Sequence, residues 1–525
     1  MAYWFSSKKV QLFCMGVSVT TIVTVLFILF MANWPSFARQ KVVENVIFKN
    51  GTLGMQRFQN TSDLHNLRLS ITVFSVTNVD EVIKSAAKMK LQEYGPYVYK
   101  EYKWKELVDN NQETGLITYK LRRRFVFSPE LSVGDPKAQN ITWLNVPVLS
   151  MISTINKMKG WKWLAAKTAV ELMMRQVGET PFITDTVENF IFAGSFRNLF
   201  AELYKIKIIR DRIGPKWPLP DNKFAILYNR NNTWLPDLDH NFTVTAGFGP
   251  DQRPADLNQF RLMNGSAQLP YWKQDGQCNQ LGGTDGQFFG PFLDYSRNLS
   301  VYSMDICRKL QLKFRQPTHI DGVLAYRYTL DEKSLQSAAR NPENACYCLA
   351  NDQEECKIDG LIDLSKCVAD NVYASESHFL NGSPELSTRI AGMRPSNLTL
   401  DEPTIFIEPN TGFAIQVKVP IQFNVKLQRS DFDIVQFFNE TKPLFVPLLT
   451  ITEVAEMEDD QAAMLREKLL ILDSWLISMV LGGAIILILV TVAAISIICM
   501  RIRRTRRVSS RPSERTPLLG EDDQN

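Results

Sequence analysis

Residues 475–500 read WLISMVLGGAIILILVTVAAISIICM, 26 positions without a charge, and Arg501, Arg503, Arg504, Arg506 and Arg507 follow at once. A run this long exceeds the roughly 20 residues that cross a hydrocarbon layer of about 30 Å. Arginines crowded at one end assign that end to the cytosol. Working outward, residues 10–31 (VQLFCMGVSVTTIVTVLFILFM) form a second uncharged run. It outlasts the roughly 7–15 apolar residues of a signal peptide, so it reads as a retained anchor, although Ser36-Phe37-Ala38 faintly resembles a cleavage site. Lys8 and Lys9 before it are balanced by Arg39 and Lys41 after it. Its orientation therefore follows from the second run, and two spans place both termini in the cytosol. The expected organisation is a cytosolic tail (1–9), a transmembrane helix (10–32), a lumenal or extracellular domain (33–474), a transmembrane helix (475–500) and a cytosolic tail (501–525).

Dividing the charge sharpens this. The tails hold nine Lys/Arg against four Asp/Glu, so a chain of net +4 is close to −1 between them. A near-neutral central segment lacks the basic face that nucleic acid requires. Sequons begin at Asn50, Asn60, Asn140, Asn231, Asn241, Asn264, Asn298, Asn381, Asn397 and Asn439, all between the apolar runs. That is the pattern of an N-glycosylated surface outside the cytosol.

No linker or repeat breaks residues 33–474. Leu67, Leu69, Ile71 and Val73 alternate with polar neighbours, as on a half-buried strand. Asp80 is placed to cap a short helix with Val82, Ile83, Ala86 and Ala87 inward, closed by Gly95-Pro96. Residues 97–102, 116–127, 224–228, 323–330 and 413–419 read as strands. From Pro147 to about Leu203 the period turns helical, and Leu164/Ala165, Thr168/Ala169 and Leu172/Met173 make one apolar stripe. The fold class is α+β: a helical insertion on a mostly antiparallel β core, plus the two transmembrane helices.

Cys14 and Cys499 lie in the membrane runs, where they are candidates for palmitoylation or inert. Cys278, Cys307, Cys346, Cys348, Cys356 and Cys367 cluster in the large domain, and an even number outside the cytosol reads as three disulfides with 15 connectivities open. Cys346-Tyr347-Cys348 lacks the spacer of a zinc knuckle, so no metal is expected. Two other classes share the topology. A ligand-gated channel would line its pore with polar residues, yet 475–500 offers only Ser478, Thr491 and Ser496 beside glycines. An ectonucleotidase needs phosphate loops, and Gly282-Gly283-Thr284-Asp285-Gly286 follows no convincing strand. With four His and no nucleophile–base pair evident, neither an enzyme nor a cofactor is expected.

The cysteine spacings of 29, 39, 2, 8 and 11 residues resemble those of the class B scavenger receptor family. So do Glu93-Tyr94-Gly95-Pro96-Tyr97-Val98-Tyr99, Asn341-Pro342-Glu343-Asn344, Ile362-Asp363-Leu364-Ser365-Lys366-Cys367 and Ile407-Glu408-Pro409-Asn410-Thr411-Gly412. The likeness runs from the first apolar run to the second. It implies a β-barrel-like core with a helical head (about 147–203), pierced by an apolar tunnel, and pairs Cys278–Cys346, Cys307–Cys367 and Cys348–Cys356. It also implies capture of lipid, lipoprotein or another anionic ligand at the head and passage of apolar cargo to the bilayer. Each CH₂ removed from water gains about 0.8 kcal/mol, so a dry conduit spares a large desolvation barrier.

Lys157, Lys159, Lys162, Lys167 and Arg175 face only Glu171 over residues 150–176, and Trp161 sits among them. These six are the candidate ligand residues, against the blander reading of a solvated amphipathic helix. Residues 182–188 resemble the lysosomal member of the family, which binds a lysosomal enzyme and uses a head histidine for acid-sensitive release. Here Asp185 stands at such a position and no His occurs between His65 and His240, so enzyme carriage is the weaker expectation. Glu514, Leu518 and Leu519 fit an acidic dileucine signal held by a clathrin adaptor. The expectation is a late endosomal or lysosomal membrane protein with a plasma-membrane pool. A cell-surface scavenger or phagocytic receptor is the alternative, and self-association is left open.

Overall fold

Period-two burial builds the frame. Leu67, Leu69, Ile71 and Val73 are all buried on one face of strand His65–Val76, whose polar partners face out. The structure, a computed structural model, describes residues 8–60, 65–196, 199, 202–203, 205–206, 220–228, 230, 235–273, 277–349 and 354–509. It divides into two units, Val42–Ala463 and the flanking Met1–Lys41 with Met464–Asn525.

The larger unit is built on a 13-stranded sheet. From edge to edge it runs Leu299–Ser303, Arg308–Ile320, Val323–Leu330, Thr404–Ile407, Ala414–Leu427, Leu444–Met457, His65–Val76, Leu91–Asn111, Leu116–Phe127, Leu235–Thr245 and Phe260–Met263. Val372–Glu376 branches from Ala414–Leu427 and carries Ile362–Asp363. Every ladder is antiparallel, so the core is the β core expected from the pattern. Residues 282–286, which follow no convincing strand in the sequence, are the seam between the two edges. Phe260 N donates to Gly283 O (2.8 Å), Thr284 N to Ser300 O (3.0 Å) and Tyr302 N to Thr284 O (2.8 Å). Gly283 has φ +84, and a β-carbon there would lie 2.8 Å from Ser300 O. Only glycine takes this place without strain, and the seam covers edges that would otherwise offer unpaired backbone.

Local expectations fare unevenly. Residues 116–127 and 323–330 are strands with those limits, and 413–419 belongs to the longer strand Ala414–Leu427. Residues 224–228 give only the two-residue strand Lys223–Phe224. The short helix is Val79–Ser85, preceded by Asn78 rather than Asp80 and ended by left-handed Ala86. It buries Val82 alone, leaving Ile83 exposed. Gly95-Pro96 does not close it. That dipeptide lies inside strand Leu91–Asn111, at a register shift opposite Ile71 and Val73. A local Gly-Pro signal loses here to ladder pairing on both sides.

Three disulfides, Cys278–Cys346, Cys307–Cys367 and Cys348–Cys356, staple residues 278–367, a stretch that includes the seam. Helix Lys8–Val46 takes in the whole first apolar run. Helix Asp459–Ser509 takes in the second, beginning well before Trp475. Among the described residues, Val480–Ile497 is the stretch long and apolar enough to cross a membrane. Phe27 sits on the bare backbone of Gly483, where a β-carbon would meet its ring at 2.2 Å.

Candidate functional site

The helical insertion supplies the first candidate surface. Asn145 caps helix Val146–Asn156 by accepting from Val148 N (3.3 Å), and Pro147 lies in its first turn, where a missing N–H costs nothing. That helix is buried almost all round. The next one, Trp161–Val177, is bracketed by Gly160 and by Gly178, whose left-handed backbone donates its N–H to Met174 O. The pattern then breaks: residues 182–186 form a strand, Asn189–Ala193 a π-turn and Ser195–Phe196 a short strand, and Leu199, Glu202 and Leu203 are helical again.

Helix Trp161–Val177 buries Ala166, Val170 and Met174, spaced four apart. The apolar stripe read from sequence is thereby split. Ala169 and Met173 pack on the core, while Leu164 and Leu172 stand 58% and 66% exposed and Trp161 68%. An inward face and an outward apolar face thus share one helix. The outward one has no cover within the described residues.

The candidate cations also divide. Lys157 Nζ reaches Asp370 Oδ1 at 2.6 Å, Lys167 Nζ reaches Glu171 Oε1 at 2.7 Å, and Arg175 pairs with Asp433. Lys159 and Lys162 are exposed and have no such pair among the described residues. The five-cation patch is therefore a two-cation patch beside Trp161. Sequence counting missed Asp370 and Asp433, which lie far along the chain. Asp185 accepts from Asn189 Nδ2 (2.7 Å) and Ser195 Oγ (2.6 Å), so it knits its own segment.

A second set of residues went unread in the sequence because it needs the register. Glu101, Lys103 and Lys105 point into the barrel, as does Arg123, which stands opposite Lys103 in the ladder. Lys103 pairs with Glu453 and lies 3.5 Å from Glu101, and Arg123 Nε lies 3.6 Å from Glu101. Asp305 approaches Arg123 at 3.5 Å. Lys105 Nζ donates to Asp285 Oδ2 (2.5 Å), in the seam, and sits 4.1 Å from the Phe58 ring centre. Burial pushes the Glu101 carboxyl up to about 7, only partly offset by Lys103. Burial would raise Asp285 too, yet Lys105 and the amides around it hold that carboxyl below its ordinary value. The resemblance implies an apolar passage; this end of the interior is ionic.

Asn50, Asn140, Asn298 and Asn439 are exposed. Asn60 bridges to Trp104, Asn241 pairs with Lys120 in the sheet, and Asn264 donates to His240 Nδ1 (2.9 Å). Asn381 donates to Glu376, and Asn397 caps a helical turn by accepting from Thr399 N. Asn231, Glu514, Leu518 and Leu519 lie outside the described residues, as do the side chains of Cys14 and Cys499.

A family model described as the CD36 family matches residues 16–500. The chain is 30% identical over 438 residues to sensory neuron membrane protein 1 of Heliothis virescens, covering 80% of each chain. It is 29% identical over 418 residues to the Antheraea polyphemus protein of that name, covering 77% of this chain and 75% of that one. The Manduca sexta protein is 30% identical over 417 residues, with 77% and 76% covered. With the antiparallel near-barrel, the helical insertion and a membrane-length helix already in place, the conclusion is that this chain is a scavenger-receptor-type membrane protein of the CD36 family.

Proposed function

We propose that the chain is a two-anchor lipid receptor of the endosomal–lysosomal membrane. Helix Trp161–Val177 captures lipid or lipoprotein surfaces, and the barrel interior passes apolar cargo toward the bilayer. The observation that carries this is the outward face of Trp161, Leu164 and Leu172 beside Lys159 and Lys162. Uncovered apolar side chains rimmed by cations suit an anionic lipid surface, which buries the one and neutralises the other. The test is flotation of the full chain in nanodiscs with phosphatidylserine or purely phosphatidylcholine vesicles. Lys159→Ala with Lys162→Ala should lower binding to the anionic vesicles several-fold, at up to about 1 kcal/mol per cation, and leave neutral ones unaffected. Leu164→Ser with Leu172→Ser should lower both. Full binding by all variants would reject the head as the capture site.

The targeting part rests on Glu514, Leu518 and Leu519 in a polar tail after the second span. Leu518→Ala with Leu519→Ala should move the protein from lysosomal-marker membranes to the cell surface; unchanged staining would remove that part. A cell-surface lipid receptor is the second reading, favoured by relatives named as membrane proteins of sensory neurons. Ten sequons between the spans, and cytosolic tails at both ends, belong to either version.

A further inference from the structure

His378 lies away from the head, in the turn after strand Val372–Glu376, and is buried. Its Nε2 is 2.9 Å from Glu93 Oε1 and its Nδ1 is 3.1 Å from Asp401 Oδ1. Two carboxylates thus face the two ring nitrogens. A neutral imidazole carries one N–H, so it can donate to only one of them, and its bare nitrogen then meets the other carboxylate lone pair to lone pair. The imidazolium alone donates to both carboxylates; in the neutral ring Nδ1 is left to accept from Ser377 Oγ, 2.9 Å away.

The three segments involved are distant in sequence. Glu93 is on strand Leu91–Asn111, and Asp401 closes the short helical turn Leu398–Asp401. Arg394 grips Asp401 with both terminal nitrogens, at 2.7 and 2.6 Å. Other charged groups surround the pair. Lys418, on strand Ala414–Leu427, stands near Asp401 and Arg394, while Glu376 precedes His378 and feels Glu402 and Asp401. Gln422 accepts from the His378 backbone (2.8 Å), Ser377 Oγ lies 2.9 Å from Nδ1, and the Phe74 ring covers the imidazole edge-on. Glu93 and Arg394, with Thr77, Lys90, Gln92 and Gly392, also line an open groove of about 570 Å³.

We propose that Glu93, His378, Asp401 and Arg394 form an acid-closed clasp: protonated His378 ties strand Leu91–Asn111 to the Arg394–Asp401 segment, and its deprotonation frees Glu93 and loosens the groove. Burial alone would lower the imidazole, but the carboxylates of Asp401 and Glu93 outweigh it and hold it above its ordinary value. The stabilisation is therefore complete below the ordinary histidine range and is lost as pH rises through the raised one. Acid keeps the clasp shut, and rising pH relaxes it.

The experiment uses the full chain in nanodiscs, with two mass-spectrometric readouts. Exchange at the His378 imidazole carbon should titrate with a midpoint above the free-histidine value of about 6.5; a midpoint at or below it overturns the proposal. Backbone amide exchange over residues 90–94 and 394–401, corrected for intrinsic rates, should be roughly tenfold more protected at about pH 5.5 than at about pH 8. Equal protection at both overturns it. His378→Gln should abolish that difference, and Glu93→Gln should shrink it while leaving the Arg394–Asp401 pair. Because wild-type protein supplies the first two readouts, a variant that fails to fold leaves the proposal testable. A difference that persists unchanged in a folded His378→Gln or Glu93→Gln protein would assign it elsewhere.

Discussion

The head helix and the barrel interior break the same rule in opposite directions. Trp161–Val177 turns large apolar side chains outward, whereas strands Leu91–Asn111 and Leu116–Phe127 turn Glu101, Lys103, Lys105 and Arg123 inward. On the head Leu164 and Leu172 are mostly exposed, so they add little to stability. Inside the barrel each ion is desolvated, so it must be matched or it costs several kcal/mol. Departures that contribute little to the fold point to a partner, and departures held among opposite charges point to a fixed internal geometry. The two regions should therefore respond to mutation in opposite ways.

The sharpest break is Lys105→Met, which leaves the Asp285 carboxylate buried without its cation. The loss should be about 3–5 kcal/mol in denaturant unfolding, and Asp285→Asn in the same chain should recover most of it. If Lys105→Met unfolds like wild type, the pair is not the seam's anchor. Next comes pH. Glu101 and Glu376 are both raised to about 7 by burial. The folded chain holds protons there that an unfolded chain releases, so stability should fall as pH climbs from about 4.5 to 7. The change is up to about 3 kcal/mol for a shift of that size, and Glu101→Gln should flatten its share. In strong acid the sign reverses, because Asp285 and Glu453, both held below their ordinary values by Lys103 and Lys105, must then be protonated. A stability maximum near neutral or alkaline pH would contradict this. At the small end, Leu164→Ser and Leu172→Ser should leave unfolding within about 0.5 kcal/mol while weakening vesicle binding. Arg175→Ala, which removes one largely exposed pair with Asp433, should change neither measurably.

Much of the β core was legible because it follows period two. Residues 116–127 and 323–330 announce themselves, and the family resemblance carried the architecture from there. What escaped has a common physical reason. Helical period shows that Leu164 and Leu172 lie on one side of a helix, but not whether anything covers that side. Summing charge over residues 150–176 shows five cations, but not that Asp370 and Asp433 come back to meet two of them. Lys103 and Lys105 look like ordinary solvated lysines until the register of Leu91–Asn111 turns them inward against residues 453 and 285. His378 is one histidine among four, with nothing in its neighbours to suggest Glu93, 285 positions earlier.

The sheet pairs its first long strand with its last. Arg68 meets Glu456, 388 positions further along the chain. A ribosome adding about 5–20 residues per second takes tens of seconds to produce that span. Throughout that time His65–Val76 waits at the centre of a sheet with one side vacant, and non-local closure of this kind is slow even once the chain is complete. Nascent chains cut short anywhere before Leu444 would all share one defect, an open central strand, and should be cleared by quality control as a single class.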